Sequence, residues 1–224
     1  MSNLYAPPQE PAPGTAPAPV GAEPKSLNTV LVLLLVLSAL GLLGALLGML
    51  SNLTGFGQHP PPPQPGMPPG FIEAQAKMYE ELQAASMKGP ATLISLIAAG
   101  VEGYVLMMAW GAKQYKDSAR EALVRTALPV IMVFTLLKLL WGLIVAMRTY
   151  SVFTNFMERI ESTLPSGSAG SSAMNIMKAA VLGGTIGGTI FAVVWGVGLV
   201  VFYNWSRKVM ARPDVEAYYA ARAV

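Results

Sequence analysis

The chain has 224 residues, 53% of them hydrophobic and only 12% charged, where a soluble domain carries about 25% charged residues. Its formal charge of +3 is too small over this length to imply a nucleic-acid partner, and the imbalance points instead to a membrane. The absence of cysteine excludes disulfides, thiolate metal sites and cysteine nucleophiles, and a lone His59 inside a proline run leaves no ligand cluster, so neither a metal nor a cofactor is expected.

Residues 1–26 hold seven prolines and one lysine and are expected to form a disordered, semi-rigid cytoplasmic tail. The first span follows at 27–50, 24 residues rich in Leu, Val, Gly and Ala. It is long enough to cross a bilayer and longer than a signal-peptide core, so it reads as an anchor. Its Gly41, Gly44 and Gly48 offer a surface for close helix packing, with Gly44-x-x-x-Gly48 a small-x-x-x-small match.

Seven prolines between Pro60 and Pro69 make a spacer, with a polyproline docking segment as the other reading. An amphipathic helix comes next, with Phe71, Met78, Leu82 and Ala85 on one face and the Glu73/Lys77 pair on another. The second span, 89–112, contains Glu102. Its seven Leu, Ile and Val residues between Leu93 and Leu106 favour insertion by about −3 kcal/mol, which an ionised Glu102 roughly cancels. This span therefore needs a partner or a protonated carboxyl.

Ser118 and Glu121 match a capping box, which starts the third helix before the bilayer edge. Pro129 then lies inside that helix, frees the carbonyl of Arg125 and predicts a kink. The third span, 126–147, contains Lys138, and twelve strongly apolar residues worth about −5 kcal/mol outweigh that charge. Beyond it Tyr150, Phe153, Met157, Ile160 and Leu164 follow 3-4-3-4 spacing. This face and that of the 71–85 helix are expected either to pack as a small extracytoplasmic cap or to lie on the lipid surface, with 166–172 a flexible return.

In the fourth span, 179–206, Ala180, Gly184, Gly188, Ala192 and Gly196 recur every four residues, joined by Gly183 and Gly187. The stripe lets another helix approach backbone to backbone. Two partners are open: span one within the chain, closing a bundle, or a second copy of the chain. The tail 207–224 places Arg207, Lys208 and Arg212 at the cytoplasmic surface, with Pro213 opening a short helix that presents Tyr218 and Tyr219 to partners or anionic lipid.

These segments describe an all-α integral membrane protein with four transmembrane helices in an antiparallel bundle: a tail 1–26, a membrane domain 27–206 and a tail 207–224. Nine Lys and Arg residues flank one side (Lys25, four at 113–125, four after 206) against five on the other, which puts both termini in the cytoplasm. The pattern resembles small four-span bacterial membrane proteins, and implies the bacterial inner membrane. The expected partners are the lipid bilayer and either a homo-oligomer or other membrane proteins.

Glu102 and Lys138 each lie slightly past the middle of their spans, which run in opposite directions, so their depths differ by about 4–5 Å and a lysine stem can bridge them. Such a pair acts as a structural clamp or as a protonatable couple lining a path. No P-loop, His-Glu zinc motif or nucleophile elbow occurs, so an enzyme is not expected. The reading favoured is a structural, assembly or partner-binding membrane protein, and the alternative is a small proton-coupled transporter or channel subunit.

Overall fold

The computed structural model describes residues 23–54, 69–163 and 168–222. The expected disordered tail up to residue 22 and most of the second proline cluster lie outside them. The described residues are helical apart from short turns, and contain no strand. Four helical stretches are long and apolar enough to cross a membrane: Leu27–Thr54, Lys88–Lys113, Asp117–Ser162 and Lys178–Met210.

α1 (Leu27–Thr54) is apolar on every side and lies along α3 (Lys88–Lys113). Asn28 accepts from Lys113, Gly41 meets Glu102 and Gly48 meets Ser95. Residue numbers thus rise along one helix as they fall along the other. α5 (Leu128–Thr163) pairs with α6 (Ser168–Met210) in the same sense, from Lys178 on Glu161 to Arg207 on Val124. The expected span one to span four packing is replaced by this arrangement: α1 and α6 touch only sparsely. α6 also begins at Ser168, so most of the expected flexible return is helix.

The apolar core divides into two clusters, one at each end. At the end where α1 starts and α6 stops, Leu27, Val30 and Leu34 of α1 meet Val105 and Ala109 of α3 and Tyr203 and Met210 of α6. α7 (Pro213–Ala220) inserts Val215, Tyr218 and Tyr219 into the same cluster. Pro213 does open this helix, where its missing N–H costs nothing. The two tyrosines are buried rather than presented, because α7 lies against the end of α3 and against Arg120 just beyond it. The Tyr219 hydroxyl donates to the Ala112 carbonyl at 2.7 Å, and burial pushes this phenol up to about 12 against the opposing pull of Arg120.

Between α3 and α4 (Asp117–Ala122) the chain turns through a Schellman motif. Lys116 N–H bonds the Gly111 carbonyl and Tyr115 N–H that of Ala112. The left-handed residue is Tyr115, φ 61°, where glycine is usual. Its ring packs edge-on against Tyr218 and under Arg222, contacts a glycine would forfeit. α4 starts at Asp117, and the expected Ser118 capping box makes no side-chain bond; Lys116 stands at the cap, while Asp117 pairs with Arg120 in the first turn.

A π-helical turn, Leu123–Ala127, joins α4 to α5. Leu128 N–H reaches back five residues to Leu123, so Val124 loses its α-helical donor, and in the widened register the following residue, Pro129, has no N–H to offer. Arg207 Nε supplies the missing bond to the Val124 carbonyl at 3.1 Å. The π turn thus sets the vacancy at Val124, where the sequence had pointed to Arg125.

At the far end α2 (Pro69–Ala85) packs on the last turns of α5, and the two amphipathic faces read from the sequence meet. Met78 and Ala85 join Val152, Phe156, Met157 and Ile160 in the second cluster, with Phe71 and Leu82 against it. Phe71 and Phe156 make an edge contact at 6.3 Å, and Arg159 bonds Glu81 at 2.7 Å. Leu164 lies outside the described residues. Between the two clusters the helix pairs part.

Candidate functional site

The parting of the pairs opens a groove of about 740 Å³, walled by α1 and α3 on one side and α5 and α6 on the other. Both sequence-predicted charges line it. Glu102 faces α1 at Gly41, whose bare backbone makes the space: a Cβ there would stand 2.5–2.9 Å from the carboxyl atoms. The residue is only 8% exposed, and Oε2 has no hydrogen-bond partner. Three residues before Gly41 the hydroxyl of Ser38, also buried, is equally without a partner. A buried polar atom left without a partner in apolar surroundings costs about 1–3 kcal/mol.

Lys138 projects from α5 into the same groove. It stops short of an ion pair with Glu102, remains exposed, and sets its ammonium 6.0 Å from the Phe134 ring centroid. The two charges act on each other across the groove. Depth matching brings them to one space, as the sequence indicated, while the parting of the helix pairs keeps them from contact.

The α6 wall is the small-residue stripe. Gly184, Gly188, Ala192 and Gly196 all line the groove, and a Cβ on Gly184 or Gly188 would meet nothing within 4 Å. Gly196 differs: Leu139 lies 2.6–2.7 Å from such a Cβ, so this glycine is where α5 and α6 close. Ala180 is exposed beyond the groove. On α1, Gly41 and Gly48 face α3, and Gly44 is open.

Two further side chains line the groove. From the sequence Tyr203 reads as a headgroup aromatic beside Phe202 and Trp205, yet it is buried and lines the groove. Thr135 turns its hydroxyl back to the Ile131 carbonyl at 2.7 Å. The periodic signal was present for Tyr203, which lies seven residues beyond Gly196 and so on the stripe's own face. Among the described residues no three His, Cys, Asp or Glu side chains converge as metal ligands would.

No protein-family model, curated protein or solved structure matches this chain. The groove is the feature of this chain that bears on function. It has long apolar walls, a bare glycine surface, and one acid and one base on opposite sides.

Proposed function

We propose that the chain is a four-span integral membrane protein of structural, assembly or partner-binding type, with both termini in the cytoplasm of a bacterial cell. Its spans form two antiparallel pairs, and the groove between them receives a partner within the membrane. Membrane insertion is supported by apolar side chains such as Leu40, Leu47, Met147 and Phe191, which stand exposed along the four helices. A water-facing monomer rarely carries apolar patches beyond a few hundred Å², whereas hydrocarbon solvates them.

The observation that carries the partner-binding reading is the buried Glu102 oxygen without a partner. The hydrocarbon core holds no water to satisfy it, and Lys138 of the same chain does not reach it. Lipid chains have no donor to offer at that depth. A protein partner entering the groove covers the bare Gly184 and Gly188 backbone and supplies a donor once the Glu102 side chain swings off Gly41. Catalysis is not proposed, since the polar groups are too few and do not converge.

A photo-crosslinking amino acid in place of Phe191, an exposed groove-lining ring, tests this in growing cells. Illumination is expected to give a protein adduct larger than the 23.7 kDa chain; adducts to lipid alone would contradict the reading. The second reading, proton-coupled transport, is favoured by an acid and a base lining one groove. It requires a pH-driven flux in proteoliposomes that Glu102→Gln abolishes, and the partner-binding reading expects no such flux.

A further inference from the structure

We infer that α2 is a releasable strap: docked, it ties the two helix pairs together across the far end of the groove, and undocked it lets them spread. The inference rests on the partner-binding reading above and names what regulates that same groove. α2 belongs to one pair by chain and to the other by packing. It runs through Ser86 and Met87 directly into α3, which lies along α1, whereas its apolar face joins Val152, Phe156 and Ile160 of α5. α1 and α6 touch only sparsely, which leaves α2 to join the pairs at this end. The seat begins one helical turn beyond the groove. Val152 follows the groove residue Thr149 by three positions, and Val181, packed against the same cluster, precedes the groove residue Gly184 by three, about 4.5 Å along each axis.

Features of the docked state itself oppose it. Met87, where α2 gives way to α3, is left-handed at φ 46°, a conformation that disfavours a residue with a Cβ by about fivefold or more. The ring contacts of the left-handed Tyr115 offset its cost; Met87 is held instead by the two packed helices it joins, so releasing α2 relaxes it. Glu81 and Arg159 share one bond at 2.7 Å, yet the other atom of each fork, Oε2 and Nη1, is buried without a partner. α2 lies outside the four apolar stretches, so undocking returns both atoms to water, which satisfies them. A small apolar seat that carries these costs belongs to the low end of local stability. α7 is the contrast, with Val215 and Tyr219 fully buried and the Tyr219 hydroxyl bonded.

The chain has no cysteine, so single-cysteine variants of the full-length protein in lipid nanodiscs report release by thiol labelling. Ile160 in the α2 seat and Val215 of α7 are both fully buried. Ile160→Cys is expected to label about tenfold faster or more than Val215→Cys, because the strap opens without loss of the main core. Adding Met87→Gly, which takes the left-handed turn without a Cβ, is expected to slow Ile160→Cys by about threefold or more and to leave Val215→Cys unchanged. Spin labels at Leu93→Cys on α3 and Met147→Cys on α5, both exposed, read the tie itself. Met78→Asp, which puts a charge into the α2 seat, is expected to lengthen their separation while Val215→Cys still labels slowly. Equal labelling at Ile160→Cys and Val215→Cys, no slowing by Met87→Gly, or an unchanged label separation in Met78→Asp would overturn the strap. Adducts to lipid alone from position 191 would overturn partner binding, and the labelling and distance results would decide the strap by themselves.

Discussion

Arg120→Met is expected to loosen selectively the end of the molecule where α4 meets α6. Arg120 is buried, and Nη1 donates to the Met210 carbonyl at 3.1 Å, tying α4 to the end of α6. A hydrogen bond to a charged donor in such a setting contributes about 1.5–3 kcal/mol. The guanidinium also sits 5.7 Å from the Tyr219 ring centroid, worth about 0.5–1 kcal/mol. The Asp117 pair adds little, since that carboxylate is 42% exposed, and Glu216 at 4.0 Å and 68% exposed adds less. Methionine retains the apolar stem, so the loss is about 2–4 kcal/mol, which at about 2–4 °C per kcal/mol lowers the melting midpoint by roughly 5–15 °C. Arg125→Met is the control: its partner Glu121 lies one helical turn away and the arginine is 76% exposed, so the midpoint should move by about 1 °C. Circular-dichroism melting in detergent reads both. Equal shifts for the two variants would refute the assignment of Arg120 as the tie between α4 and α6.

Three further outcomes follow from the geometry. With the Tyr219 phenol held at about 12 by burial, the folded state keeps its proton while the unfolded phenol ionises near 10, so stability should fall as pH rises from about 10 to 12. Tyr219→Phe should remove that part of the pH dependence and lose about 1 kcal/mol with the Ala112 bond; an unchanged alkaline profile would contradict the burial of Tyr219. A double-mutant cycle on Glu81→Gln and Arg159→Gln should give a coupling of about 0.5–1 kcal/mol that weakens with salt, and no coupling would contradict the docking of α2 on α5. Gly41→Ala should displace the Glu102 carboxyl and destabilise the α1 and α3 pair by about 1–3 kcal/mol, whereas Gly44→Ala, with open space around it, should be neutral; the reverse order would contradict the register of that pair.

The sequence carried the features that depend on one helix at a time. Charge brackets located the spans because a charge interrupts an apolar run wherever it falls, and the 3-4 spacing of Phe71 to Ala85 and Tyr150 to Ile160 identified two faces that do pack together. Depth arithmetic brought Glu102 and Lys138 to one groove. Helix pairing was not legible. α1 is apolar all round, so its pattern names no preferred face, and its glycines suited α6 as well as α3. What decided for α3 is Glu102, which needs the backbone gap at Gly41. The tail was misread because Arg207, Lys208 and Arg212 signalled surface, while the apolar set Val209, Met210, Val215, Tyr218 and Tyr219 is split by the turn at Pro213 and joins only when α7 folds back. The capping box failed because Asp117 and Arg120 supply the first turn with a competing pair.

Oε2 of Glu102 has no hydrogen-bond partner within the described chain, and the proposed function keeps this carboxyl for a contact across the groove. A double-mutant cycle on Glu102→Gln and Lys138→Met, read by melting of the monomer in dilute detergent, tests it most directly. The account predicts that Glu102→Gln melts at or above the wild type, that Lys138→Met changes little, and that the two effects add within about 0.5 kcal/mol. A single variant that loses about 3 kcal/mol or more, with recovery in the double, would place the clamp inside one chain and contradict the account.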